Sequence, residues 1–408
     1  MLLFILRIFL PLSFGYYLSY FYRTVNAVIA PDLTADLGLS PADLGWVSSA
    51  YFASFALFQI PLGILLDRVE IRKISASLLM IAGLGAAVFA TADSMMQLWL
   101  GRFIIGLGVS ACLMGAFKAY VIWMPVHRLP LINGLQLAAG GIGALTATAP
   151  VESALQLTDW RNVFICLSAI TIFSALIIFF CVPKQNIEKS EQSVFTQLTD
   201  YLCIIKNPVF FAVAPISFLA QAAFISLQSL WIGQWLREGL LLPRDEAAHY
   251  LLIAAAATVL GYVAMGSIAS KLQRFGISSR TVSLTGLSLF LLVQVAIVLQ
   301  VPIPSTILWC LFGFIGTSGS LMYATLLQYF PKHLAGRVIT SLNLLLFVSI
   351  FALQWLMGII VDLWPLTAQG HSPIHAYQWA FSLAIVLQIG GFIWYLLKRK
   401  LLLSKTNN

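Results

Sequence analysis

Apolar residues run along this chain in long blocks separated by short polar connections. A helix needs about 20 mostly apolar residues to cross the hydrocarbon core of a bilayer. The pattern divides into about twelve such blocks, near residues 4–30, 43–66, 74–92, 97–123, 130–155, 162–182, 208–236, 247–269, 280–300, 304–329, 335–362 and 376–397. Ala30-Pro31-Asp32 is expected to end the first, because proline cannot continue a helical hydrogen-bond ladder and the acid marks water. The most polar stretch runs from Val182 to Pro208. It divides the chain into residues 1–183, a middle loop at 184–207, and residues 208–408 with a short tail. Within the loop, residues 195–206 are predicted to form an amphipathic helix lying on the membrane surface.

Composition narrows the class. Of 408 residues, 60% are hydrophobic and 9% charged, with a mean hydropathy of +0.92. Soluble domains carry roughly 25% charged residues, so a water-soluble fold is excluded and an all-α integral membrane protein is expected. The apolar start is read as the first span rather than a cleaved signal, since the run outlasts a signal core and offers no small-residue cleavage site before Arg23. Cys112, Cys166, Cys181, Cys203 and Cys310 are scattered and odd in number, without disulfide or metal-ligand spacing. No cofactor or metal is expected.

The net charge of +8 is distributed by side rather than gathered into a nucleic-acid patch. Lysine and arginine collect in alternate connections, at Arg68, Arg72 and Lys73, Arg128, Lys184, Lys189 and Lys206, Lys271, Arg274 and Arg280, Lys332 and Arg337, and Lys398 to Lys405. The other connections hold Arg161, Arg237 and Arg244 among Asp32, Asp36, Asp43, Asp93, Asp159, Glu238, Asp245 and Glu246. This asymmetry is the positive-inside pattern. It places both termini and the middle loop in the cytoplasm of a multi-pass protein, expected in a bacterial inner membrane. Trp46, Trp99, Trp160, Trp235, Trp364 and Trp379 fall near outer span ends, Trp123 and Trp394 near inner ones, as interfacial rings do.

Against this apolar ground, Arg23 stands out. Its charge is permanent, it lies too deep in the first span to snorkel easily, and a charge in hydrocarbon costs at least a few kcal/mol. Either a wet cavity and an exchanging anion offset that cost, or a fixed partner does. Arg102 and Lys118 are further cations on the fourth span. They are sixteen residues apart, roughly 24 Å along a helix, so both cannot touch one small ligand. Lys118 is read as a gate or a snorkelling anchor. Candidate hydrogen-bonding residues are Asn26, Gln59, Gln136, Gln221, Gln228, Tyr323 and Asn343. No predicted helix carries an acid or histidine near its middle, which leaves Asp32 and Glu152, both near outer ends, as candidates for proton coupling. A phosphate-cradling glycine loop is absent, so ATP does not drive the process.

Gly63-x-x-x-Asp67-Arg68-x-x-x-Arg72-Lys73, between the second and third spans, resembles the loop signature of the major facilitator superfamily, with Glu70 where a small residue is usual. Gly63 would let a neighbour come close. A degenerate second copy, Gly266-x-x-x-Ser270-Lys271, lies half a chain away. Gly101-Arg102 with Gly106 and Gly108 is similar to the family's fourth-helix signature. The resemblance implies two pseudo-symmetric six-helix bundles, an enzyme-free transport function, and a latch role for Asp67, Arg68 and Arg72. It leaves Arg102 between coupling or packing and ligand binding. Tyr22-Arg23-x-x-Asn26 with Gln59 and Pro61 looks like the organic anion:cation symporter branch, with Tyr22 where an acid is usual. The expectation is a monomeric secondary transporter of an anionic or amphipathic solute, proton-coupled. The competing expectations are an exporter of drug- or siderophore-like compounds with a mostly aromatic cavity, and a non-transporting receptor on the same scaffold.

Overall fold

A computed structural model describes residues 2–125, 128–185, 194–331 and 334–406. Lys189, Lys332 and residues 186–193 of the middle loop lie outside the described residues. The apolar blocks become helices. The first passage, α1, is Leu10–Thr24 continued by Asn26–Leu37; α2 is Pro41–Arg68, α3 Ile71–Ala90, and α4 Met95–Val109 with Ala111–Trp123. The fifth, α5, is Leu129–Thr146 with Ala149–Leu155, and α6 is Trp160–Cys181. The helix α7, Val194–Lys206, matches the surface helix expected at 195–206. The later passages are α8 (Pro208–Gly239), α9 (Arg244–Arg274), α10 (Ser279–Val298), α11 (Ser305–Leu327), α12 (Ala335–Asp362) and α13 (Ile374–Thr406). Among the described residues, ten of these are long and apolar enough to cross a membrane as single helices. The other two passages, α1 and α5, are interrupted, near Val25 and at Ala147-Thr148.

The expected stop at Pro31 is corrected. The helix runs through Pro31 to Leu37 and ends at Gly38, whose φ of 64° is a left-handed cap. Proline has no N–H to give the carbonyl of Ala27 four residues back. That carbonyl lies against Gly233 of α8, where a side chain would collide with it. The missing bond is thus absorbed at a contact between the first and last six passages. Beyond it, Ser40 and Asp43 form a reciprocal capping box that starts α2.

The two ends of the molecule differ. At the acidic side the first and last six passages are tied together. Arg244 at the start of α9 pairs with Asp32 of α1 and with Glu152 of α5, while Asp362 at the end of α12 accepts from Ser40 Oγ at 2.8 Å and from the Ala42 amide at 3.1 Å. Phe52 and Phe55 of α2 meet Phe347 of α12 nearer the middle. One buried apolar cluster accordingly runs through both groups. At the basic side a second, separate cluster of Val209, Phe210, Val213, Leu326, Val338, Leu342 and Tyr395 belongs to the last six passages and α7 neighbours alone. The halves share a core where they are closed and pack independently where they part.

The helix α7 bridges α2, α8 and α12 on that basic side. Its Tyr201 is buried, and the hydroxyl lies 2.8 Å from where a Cβ on Gly63 would stand. The neighbour that Gly63 admits is therefore the middle-loop helix. Asp67, four residues on, pairs with Lys118 at 2.9 Å, and the same ammonium donates to the Leu66 carbonyl near the end of α2. A cation at a helix C-terminus is favoured by the unpaired carbonyls there. In the next turn Glu70 binds Arg72 at 2.8 Å and Lys73 at 2.6 Å, which holds its carboxyl below the usual range. Thus Glu70 takes part in the turn's charge pairing where a small residue is usual.

Candidate functional site

Arg23 is positioned by the local periodicity of α1. Tyr16, Tyr20 and Arg23 are four and three residues apart, which puts them on one face of a helix. The rings of Tyr16 and Tyr20 meet edge to face with centroids 5.1 Å apart. The guanidinium lies 4.4 Å from the centroid of Tyr20, 5.7 Å from that of Phe55 and 6.0 Å from that of Tyr51. Contacts of this kind contribute about 0.5–2 kcal/mol each. Tyr51 and Phe55 are themselves four residues apart and so share a face of α2. The Tyr51 hydroxyl, beside Arg23, donates to the Ser19 carbonyl at 3.0 Å.

The last six passages complete the site. Tyr262 of α9 and Tyr323 of α11 lie near Tyr20 at the junction of the halves. Tyr323 donates to Asn343 Oδ1 of α12 at 2.9 Å. Arg23, Tyr20, Tyr262, Tyr323 and Asn343 are all half-buried, so this cluster is not sealed. The charge of Arg23 is balanced by no carboxylate among the described residues, since its electrostatic neighbours are tyrosines. Its Nε is buried without a hydrogen-bond partner. A permanent cation with aromatic walls and no carboxylate beside it among the described residues has the chemistry to take an anion.

Of the expected site residues, Arg23, Tyr323 and Asn343 come together here. The amides do not. Gln136 is wholly buried inside the first half, accepting from Ser13 and Tyr120 at 2.7 Å each. Asn26 is 4% exposed and donates to Ser48 at 2.8 Å, while Gln59 is 3% exposed. Gln221 packs against Gly319 inside the last six passages. Gln228 donates to Thr258 at 3.0 Å and lines a narrow gap between the halves with Thr24, Ala27 and Thr148. The physical reason is plain for Gln136, Asn26 and Gln228. An amide in an apolar surround must find a partner, and the nearest are on neighbouring helices. Tyr16, Tyr20, Tyr51, Phe55 and Tyr262 were not anticipated. For the first four, the spacing to Arg23 and to one another was the available signal.

Arg102 is packed inside the first half, with Nε and Nη2 buried without hydrogen-bond partners. It is 1% exposed, gives Nη1 to the Tyr22 carbonyl at 2.7 Å, and lies between Phe89 and Phe164 at 4.7 and 5.4 Å. It therefore anchors α4 to α1 directly behind Arg23. Glu152, near the outer end of its span, is a buried acid. Only 5% exposed, it faces Arg244, with Asp32 and Arg237 near by. A groove of about 650 Å³ between α1, α5 and α6 is lined by apolar groups such as Phe14, Phe21, Val151 and Ile170 and does not include Arg23.

A family model described as Major Facilitator Superfamily matches residues 12–353. The chain belongs to the major facilitator superfamily. Solved superfamily structures share its fold. A bacterial homologue of the human lysosomal transporter Spinster, captured inward-facing and occupied, superposes with a TM-score of 0.74 at 18% identity over 96% of both chains. A D-xylose-proton symporter gives 0.71 at 17% identity over 94% of this chain and 97% of that one. Among sequence relatives, the hexuronate transporter of Escherichia coli K12 is 24% identical across 95% of this chain and 93% of its own. A probable sulfoacetate transporter of Cupriavidus necator is 28% identical over 40% of this chain, a match spanning only 38% of that relative. In this superfamily member, the Gly63–Lys73 signature loop holds α7 and Lys118 at the basic end of α2.

Proposed function

We propose that this chain transports small organic anions by alternating access, with the anionic group held by Arg23 at the junction of the two halves. The observation that carries this is the half-buried Arg23 with no carboxylate partner among the described residues. It is consistent with relatives named for hexuronate and sulfoacetate, both anions. The positive-inside distribution puts the basic side in the cytoplasm. With the acidic side tied by Arg244, the conformation is inward-facing. Residues 1–183 and 208–408 are the moving bodies, α7 is the strap between them, and the protein acts as a monomer in an inner membrane.

Coupling to protons is placed at Glu152 and Asp32, the acids that hold Arg244. Protonating either weakens the tie that closes the acidic side. The exporter reading is favoured by the aromatic walls alone; an unpaired cation among those walls favours an anion. Uptake of radiolabelled carboxylates into proteoliposomes is expected for the wild type and lost in a folded Arg23→Gln variant. Equal carboxylate uptake by both proteins would overturn the assignment of Arg23.

A further inference from the structure

The groove between α1, α5 and α6 lies behind Arg23. On α1 it is lined by Phe14, Leu18 and Phe21, which are four and three residues apart and share a face. Arg23 is nine residues beyond Phe14, about two and a half turns, and so lies on the opposite face. The groove opens where α5 is interrupted. Gly143 holds α5 against α1, where a side chain would collide with the Tyr17 carbonyl. One turn on, Pro150 has no N–H to give the Thr146 carbonyl, and the helix breaks at Ala147-Thr148. Thr146 and Pro150 both line the gap, and Leu167 and Ile170 of α6 form its other wall. The hydroxyls of Tyr17 and Thr146 meet at 2.8 Å. No charged side chain is among the lining residues, so the anionic group of a solute has no partner here.

The walls change character with depth. Phe14 and Ile170, at the deep end, are exposed apolar groups, whereas Thr158 and Asn162, on the acidic side, are exposed and polar. From Asn162 to Ile170 is roughly 12 Å along a helix, within the about 15 Å of hydrocarbon that one leaflet supplies. The medium at the open side is therefore acyl chain, with headgroups level with the polar rim. Lipid tails are as apolar as leucine, so burial alone does not hold a chain in place; close packing and a headgroup contact must. The rim offers Asp159, an exposed carboxylate that accepts from the Asn162 amide at 2.7 Å. We propose that the groove holds one acyl chain of a phospholipid from the leaflet on the acidic side, with a primary-amine headgroup at Asp159. That chain backs the helix whose far face carries Arg23. Neither the chain nor its headgroup depends on what Arg23 binds.

The test places the full chain in nanodiscs of equal parts phosphatidylethanolamine and phosphatidylglycerol, one of the two carrying a mid-chain diazirine, and maps cross-links by mass spectrometry. Cross-links to residues 146–170 should be several-fold denser per residue than those to the exposed face of α10 at Leu289 and Leu292. They should fall to the α10 level in Ala154→Trp, which fills the groove, with folding checked by thermal unfolding. Cys166→Trp, at an exposed lining position, fills the same space should Ala154→Trp not fold. Phosphatidylethanolamine should label about threefold more than phosphatidylglycerol, and Asp159→Asn, which still caps α6, should remove that preference. Equal density in the groove and on α10 means bulk lipid only and overturns the held chain, as does dense labelling that persists in a folded groove-filled variant. Dense groove labelling without a headgroup preference, or with one that survives Asp159→Asn, overturns the role of Asp159.

Discussion

Replacing Arg244 by glutamine should open the acidic side. Arg244 donates Nη1 to Asp32 Oδ1 at 2.8 Å and holds Oδ2 with Nη2, while Nε lies 2.9 Å from Glu152 Oε1. The side chains are unequally exposed, at 38% for Arg244, 25% for Asp32 and 7% for Glu152. Fully exposed pairs contribute about 0–1 kcal/mol, whereas stranding one charge of a buried pair costs about 3–5 kcal/mol. Glu152 is close to the buried limit but keeps Arg237 near by, which sets the loss at about 1–3 kcal/mol. The tie spans the two halves and must break when the acidic side opens, so the loss falls on the closed state alone. That corresponds to roughly a 5- to 150-fold shift. An open state populated at about 1% would rise to between about 5% and 60%. Spin labels at Leu157 and Leu366, exposed on the acidic side, in a background lacking the five native cysteines, would report this as a longer pulsed electron–electron distance. A folded Arg244→Gln protein with an unchanged distance distribution would refute the Arg244 tie.

Three further outcomes follow from particular contacts. Gln136→Leu strands the hydroxyls of Ser13 and Tyr120, so it should lower stability by about 1–3 kcal/mol in a thermal unfolding assay while leaving the KM for solute unchanged. Gly63→Leu should lift Tyr201 from α2 and speed amide hydrogen exchange in residues 199–206, with α2 itself still protected; unchanged exchange would contradict that packing. Asp36 accepts from Trp160 at 3.1 Å and from Arg161, and these bonds, the Arg161 one most, hold its carboxyl below the usual range. A depressed folded value means the contribution is complete above the unfolded value of about 3.9 and is lost as pH falls through the folded one. Asp36→Asn should therefore unfold at a lower temperature than wild type at pH 7, and the gap should narrow below about pH 4. The same gap at pH 7 and pH 3 would contradict the ion pair.

The positions of the helices were legible because the length of an apolar run reports bilayer thickness directly. Their ends were less so: Pro31 was read as a stop, but a proline inside a helix is tolerated where its orphaned carbonyl meets another helix, here at Gly233, and that meeting is non-local. Arg23 was legible because an intramembrane charge is conspicuous in any context. The amides were misleading for the opposite reason. Gln136, Asn26 and Gln228 are polar enough to suggest a cavity, yet in an apolar medium the same polarity drives them to partners inside their own half, and helical spacing cannot say which face meets which neighbour. Tyr16 and Tyr20 could have been joined to Arg23 by counting turns. Tyr262 and Tyr323 could not, since only the folded junction of the halves brings them there.

The reach of solvent to residue 23 is the most direct test. In the cysteine-free background, Arg23→Cys would be exposed to a charged, membrane-impermeant methanethiosulfonate applied from one face of the membrane or the other, with thiol modification read by mass spectrometry. Reaction from the basic face is expected in the otherwise native sequence, with reaction from the acidic face rising when Arg244→Gln is added. A folded Arg23→Cys protein that reacts from neither face, with or without Arg244→Gln, would contradict a wet passage at Arg23.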